Sequence, residues 1–259
     1  MTHDEQREYL IEALLKEEAQ YADIKIPADT DQQKNLLRSL MNVRPPRPVS
    51  EEFLKIQDEY LSEEVRRKGM VDVKTLEPVH RDRRMFLWKG DITTLKADAI
   101  VNAANSALLG CFHPCHSCID NIIHSLSGIQ LRLTCDELMK RQGHEESTGT
   151  AKITPAFNLP CTYVLHTVGP IVWGELTKTH IRQLADCYRS CLKLVTEYGL
   201  KSVAFCCIST GEFHFPQEKA AEIAIQTVTE YLKEDTQIER VIFNVFKQED
   251  YEIYKRRLS

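Results

Sequence analysis

From Arg84 to Arg257 short apolar runs alternate with long amphipathic segments, and that alternation leaves few architectures open. Met85–Trp88, Ala99–Ala103, Ala151–Thr154, Tyr163–Thr167, Ser202–Ile208 and Arg240–Phe246 read as strands. Ile119–Arg141, Lys178–Tyr198, Gln217–Lys233 and Asp250–Arg257 read as helices. Strands separated by helices predict a three-layer α/β fold with a central, mainly parallel or mixed sheet between helices. Ligands of such sheets sit beyond the carboxyl ends of the strands. The polar segments NAAN, HTVGP and STGEFHFP each follow a predicted strand.

Residues 1–84 have a different texture, helical and charged. Thr2 and Glu5 match a capping box, and Leu10 and Leu14, with Ile11 and Leu15, form a stripe at helical spacing. A second helix is expected over Asp31–Met41. The segment VRPPRPVS then breaks the chain, and Ser50 is a natural N-cap for a third helix through Arg67. This region carries no catalytic pattern. It reads as a helical extension (1–84) packed on an α/β domain (85–259).

A formal net charge of −5 gives no global electrostatic reason to expect nucleic acid as a partner. No apolar run is long enough to span a bilayer, and the acidic N-terminus lacks the basic and apolar regions of a signal peptide. The expected compartment is therefore the cytoplasm, where thiols stay reduced. Nine cysteines also argue against a fully paired disulfide framework.

Three of those cysteines crowd into GCFHPCHSC, Gly110–Cys118, beside two histidines. Thiolate and imidazole are the ligands zinc prefers, and three protein ligands with one open position mark a catalytic site. A closed structural site needs a fourth ligand, which His113 or Cys115 would supply. A cysteine-rich loop without metal is the plainer alternative.

The other motifs are individually modest. GDIT (Gly90–Thr93) places Asp91 after a strand, where it caps a turn or accepts from an exocyclic amine. VNAAN offers two carboxamides, Asn102 and Asn105, suited to sugar hydroxyls or to closing a tight loop. ISTGEFHFP runs from a strand through a small-residue loop to a helix N-terminus, a source of backbone N–H groups for phosphate. No lysine sits where a Walker loop needs one. Glu212 inside this loop would repel an anion unless its side chain faces water. Asp120 and His124 share a helix face; His166, Cys206 and Cys207 read as core residues.

Taken in order, GDIT, VNAAN, IDNIIHSLSG, GTAKITPAFNLP, YVLHTVGP and ISTGEFHFP make residues 85–259 resemble a macrodomain, the ADP-ribose-binding fold. The resemblance implies that Asp91 holds the adenine amine and Ile92 lines its pocket. It implies that Asn105 contacts the distal ribose, and Asn102 stays a substrate-binding candidate on the chemistry of its carboxamide. The backbone of Ser209, Thr210, Gly211, Glu212 and Phe213 would cradle the diphosphate, with Phe213 near the distal ribose. Where hydrolytic macrodomains commonly carry a glycine-rich loop, this chain carries GCFHPCHSCID. That variant resembles the zinc-dependent macrodomains often encoded beside a sirtuin-type ADP-ribosyltransferase, which also carry an N-terminal helical extension. Their metal pattern maps onto Cys111, His116 and Cys118, and their catalytic aspartate onto Asp120.

The expectation is a zinc-dependent mono-ADP-ribosyl hydrolase acting on ADP-ribosylated protein, with one Zn²⁺ per chain and Asp120 and Asn105 as catalytic candidates. A sirtuin-type ADP-ribosyltransferase is the expected linked enzyme. The rivals are a non-catalytic ADP-ribose-binding macrodomain with a structural zinc, and an interaction protein whose zinc only folds the loop.

Overall fold

The computed structural model describes residues 1–259. Three helices come first: α1 (His3–Leu15), α2 (Thr30–Val43) and α3 (Glu51–Lys68). Their starts are set locally. Thr2 and Glu5 close the expected capping box, and Asp29 and Ser50 accept from Gln32 N and Phe53 N. Leu10, Ile11, Leu14, Leu37, Leu40, Phe53 and Tyr60 form a small core between the three helices. Ile129 joins this core from the main domain, so the helical unit is packed onto the domain rather than tethered to it.

The α/β unit begins earlier than the expected boundary at 84. Strands β1 (Val71–Asp72) and β2 (Pro78–Val79) pair with β4 (Leu95–Lys96) and β3 (Asp82–Lys89), which places residues 71–79 in the domain. There follow β5 (Ala99–Ala104), α4 (Ile119–Ser127), α5 (Ile129–Gln142), β6 (Ala151–Pro155), β7 (Tyr163–Val168), α6 (Lys178–Glu197), β8 (Ser202–Phe205), α7 (Gln217–Glu234), β9 (Arg240–Val245) and α8 (Gln248–Leu258). The main sheet has the order β2-β3-β9-β8-β5-β7-β6. Its five central strands are parallel, and the edge strands β2 and β6 run antiparallel. This is the mixed sheet expected from the alternation, flanked by helices.

Neighbouring strand residues point to opposite faces. On β7, His166 faces Cys135 of α5 while Thr167 faces Cys187 of α6, so these helices cover different sides. The single helix expected over Ile119–Arg141 is two helices. Gly128 breaks it at φ 95°, and a Cβ there would meet the Gln57 amide of α3 at 2.6 Å. Gln130, two residues on, comes equally close, so the break is held by the positive φ, a local side chain and one far away in sequence. Strand β8 also stops at Phe205, three residues before expected, and Cys206–Ile208 already belong to the loop. No helix is long and apolar enough to cross a membrane.

Candidate functional site

Parallel pairing brings the carboxyl ends of β3, β9, β8, β5 and β7 to one edge. The GDIT, VNAAN, HTVGP and STGEFHFP segments gather there, whereas the PAFNLP half of GTAKITPAFNLP lies at the opposite edge, because β6 runs antiparallel to β7. Along the carboxyl edge, Asp91 follows β3, Phe246 follows β9, the Ser209–Phe213 loop follows β8, and Asn105 follows β5. Three steps of about 4.8 Å separate β3 from β5, about 14 Å in all.

Asp120 lies in the first turn of α4, where the helix dipole favours a carboxylate. It is almost fully buried. Asn102 Nδ2 donates to its Oδ1 at 2.7 Å and Asn105 Nδ2 approaches its Oδ2 at 3.3 Å. Burial pushes its pKa up to about 6, against the lowering effects of the Asn102 hydrogen bond and the Arg132 guanidinium. Such a group suits proton transfer near neutrality. Asn102 is fully buried, and its amide also reaches His166 Nδ1 at 3.2 Å. It therefore sits beneath Asp120 as a holder, away from the sugar position read from the sequence. Asn105 remains partly exposed beside Asp120.

His124 does not serve Asp120 through a hydrogen bond. Its Nε2 stays 3.6 Å from Asp120 Oδ1, and neither ring nitrogen has a hydrogen-bond partner. Burial, with His166 and Arg132 nearby, lowers its pKa far below the usual value, so the ring is neutral. His124, Cys135 and His166 group together, but both His166 nitrogens are already engaged, by Asn102 and Thr154. That trio reads as core.

In the Gly110–Cys118 loop the donor atoms of Cys111, His116 and Cys118 lie within 4.8 Å of one another. Cys111 Sγ and His116 Nδ1 are 3.7 Å apart. Tetrahedral zinc, with bonds of ~2.3 Å to sulfur and ~2.0–2.1 Å to nitrogen, needs about 3.6 Å for that edge. The residues present thus fit zinc. Cys118 has a second task, since its Sγ accepts from Asn121 N at 3.4 Å and caps α4. Burial pushes its thiol up to about 12, so a cation that takes this thiolate displaces a proton. Cys115, one of the two open candidates for a fourth ligand, points away. Its Sγ is 3.2 Å from Ser39 Oγ and 3.4 Å from the Asn35 carbonyl of α2. His113, the other, is exposed and meets His116 edge to face at 5.4 Å.

At the other end, Asp91 Oδ1 accepts from Thr93 N at 3.0 Å and from Thr93 Oγ1 at 2.6 Å, and its Oδ2 pairs with Lys68 of α3. Burial opposes ionisation, but Lys68 and Thr93 together hold the carboxyl below its usual range. Ile92 is buried behind it. Sequence reasoning missed Lys68, which belongs to the helical extension, and also Phe246. Phe246 is 77 % exposed at the end of β9, next to the Gly90 turn whose N–H bonds Val245 O at 2.9 Å. An exposed phenyl in NVFKQED, at a strand end, was the available signal.

The loop after β8 turns at Ser209, which takes φ 66°. Its approach to the loop after β7 requires Gly169, where a Cβ would lie 2.0 Å from Ser209 Oγ. Thr210 N bonds Cys207 O, whereas the N–H groups of Gly211, Glu212 and Phe213 have no internal partner and can bind an anion. Phe213 O accepts from Val172 N at 2.9 Å, which pins the loop. The Glu212 side chain is exposed and turns to His116, with Oε1 3.7 Å from Nε2, so it need not face an anion bound by the backbone.

The chain matches the family model described as "Macro domain" over residues 101–224. It is 56 % identical over 261 residues to the protein-ADP-ribose hydrolase of Treponema medium, covering all of both chains. It is 44 % identical over 242 residues to a probable bifunctional ADP-ribose hydrolase/ADP-ribosyltransferase of Fusarium oxysporum, covering 86 % of this chain and 40 % of that one. Among solved structures, the Trypanosoma brucei macrodomain in complex with ADP-ribose matches with a TM-score of 0.68 at 30 % identity, over 86 % of this chain and 95 % of that one.

Proposed function

The chain belongs to the Macro domain family, and from that premise we propose that it removes mono-ADP-ribose from modified proteins with one zinc ion held by Cys111, His116 and Cys118. It is a hydrolase of the kind its full-length relatives are named for. One observation carries the finer reading. What supports it is the order of strands, along which Asp91, the unpaired amides of Gly211–Phe213 and the buried Asp120, two residues from Cys118, follow one another at the sheet edge.

Asp91, ionised and held by Lys68 and Thr93, accepts from the adenine amine, with Phe246 beside the base. The amides of Gly211, Glu212 and Phe213 bind the diphosphate. Asn105 reaches the distal ribose from the end of β5. Cys111, His116 and Cys118 would hold the zinc, which when bound would supply Lewis acidity toward a distal-ribose oxygen or water. Asp120 takes a proton from the water that attacks the anomeric carbon, the bond from that carbon to the protein acceptor breaks, the acceptor leaves and is protonated, and Asn102 and Asn105 fix the direction of the Asp120 lone pairs. The modified protein is the substrate. The Fusarium relative's double name supports an ADP-ribosyltransferase as the linked enzyme, which the sequence resemblance makes sirtuin-type.

The test is single-turnover release of ADP-ribose from a mono-ADP-ribosylated protein, with and without a chelator. The reading expects turnover to stop on chelation while circular dichroism stays unchanged. Turnover that survives removal of all zinc would return the metal to a structural role.

A further inference from the structure

Resting on the zinc reading above, we propose that α2 of the N-terminal helical unit is the template that presets the metal loop, with Arg38 as its positioning residue. Positions 35, 38, 39 and 42 follow an i, i+3, i+4, i+7 spacing and share one face of α2. All four meet the loop or the start of α4. Arg38 Nη2 donates to the His116 carbonyl at 2.7 Å and to Asn121 Oδ1 at 2.7 Å. Asn121, fully buried, donates in turn to the carbonyls of Cys111 at 3.3 Å and His113 at 2.9 Å. Asn42 Oδ1 accepts from Cys115 N at 2.9 Å, and its amide nitrogen donates to Ser125 Oγ at 2.9 Å. Ser39 Oγ and the Asn35 carbonyl take the Cys115 thiol.

Four backbone groups of the loop, Cys111 O, His113 O, Cys115 N and His116 O, are thus satisfied from α2 or through the asparagine that Arg38 holds. Cys115 sits at φ 51°, which a non-glycine residue keeps only where its surroundings over-determine it. Here Asn42 and Ser39 do so. Two of these anchors are the carbonyls of donor residues, Cys111 and His116, a third is the N–H of Cys115 next to His116, and His113 O lies between the two donors in sequence. A loop held this way does not pay its ordering entropy when the ion arrives, and supporting hydrogen bonds of this kind are worth about 10–100-fold in metal affinity.

Two measurements test this on the full-length protein. Zinc affinity by competition with a chromophoric chelator should fall about 10–100-fold in Arg38→Ala, with partial recovery in Arg38→Lys, which keeps a cationic donor nitrogen but loses the planar fork. ADP-ribose affinity of the zinc-free Arg38→Ala protein should match zinc-free wild type, which shows that the domain is folded. Wild-type affinity for zinc in Arg38→Ala overturns the proposal; a wild-type protein that binds no zinc instead overturns the reading it rests on. The second measurement needs no variant. In zinc-free wild type, the Cys115 amide should be protected from hydrogen exchange by Asn42. Exchange of that amide at the unstructured rate would mean that α2 does not preset the loop.

Discussion

Lys68, the last residue of α3, forms an ion pair with Asp91, the carboxylate that follows β3 and is proposed above to accept from adenine. The helical unit therefore touches both ends of the site, through Lys68 at Asp91 and through α2 at the metal loop. A region without catalytic motifs of its own supports two groups that have them.

Removing Asp91 and removing Lys68 should weaken ADP-ribose binding to different degrees. Asp91→Ala loses a charged acceptor, roughly 1.5–3 kcal/mol, or about 10- to 150-fold in Kd. Lys68→Ala leaves the acceptor and removes only a partly exposed ion partner, which after solvent screening is worth up to about 1 kcal/mol. Calorimetry with free ADP-ribose reads both. Equal losses would mean that Lys68 contacts the ligand itself, and an unchanged Asp91→Ala would remove the adenine assignment.

Asp120→Asn keeps the shape and an acceptor oxygen for Asn102 but cannot take a proton. Single-turnover hydrolysis should fall about 10²–10⁴-fold, while affinity for ADP-ribose moves little, because Asp91 and the Gly211–Phe213 amides lie elsewhere. If rate and affinity collapse together, Asp120 is holding the loop rather than acting on water.

His124→Ala should cost stability more than rate. The ring is buried, makes no hydrogen bond to Asp120, and leaves a cavity worth roughly 2–4 kcal/mol when truncated. Urea denaturation paired with the hydrolysis assay separates the two effects. A fall in rate as large as that of Asp120→Asn, at undiminished stability, would show that the two side chains act as a unit.

Elemental analysis should find about one zinc per chain in protein purified without chelator. Cys115→Ser should keep the ion, since that thiol faces Ser39. Cys118→Ser should lose it yet keep α4, because serine is itself a strong N-cap, so the same substitution separates capping from ligation. Retention by Cys118→Ser and loss by Cys115→Ser would reverse the ligand assignment.

Much of the candidate site was legible as local groupings. Asp91 and Thr93 form one turn, Cys111, His116 and Cys118 one loop, and Ser209–Phe213 another. The same holds for the capping residues Thr2 and Ser50. The break at Gly128 was not legible, because glycine within an apolar helical pattern is tolerated until something occupies the space beside it, and Gln57 of α3 and Gln130 do so together. Nor was the burial of Asn102, since an asparagine in NAAN reads alike whether it faces a sugar or a carboxylate.

By itself the sequence determined the alternation of strands and helices, the family motifs and which residues are candidates to carry chemistry. All of these are written in spacings of a few residues, where periodicity and ligand type have direct physical meaning. Only the tertiary structure decided which of those residues support the others. Arg38 meets His116 across 78 positions and Gln57 meets Gln130 across 73. Such pairings arise because burying an apolar face brings distant polar groups out of water together, and each must then find a partner among whatever the packing has placed beside it.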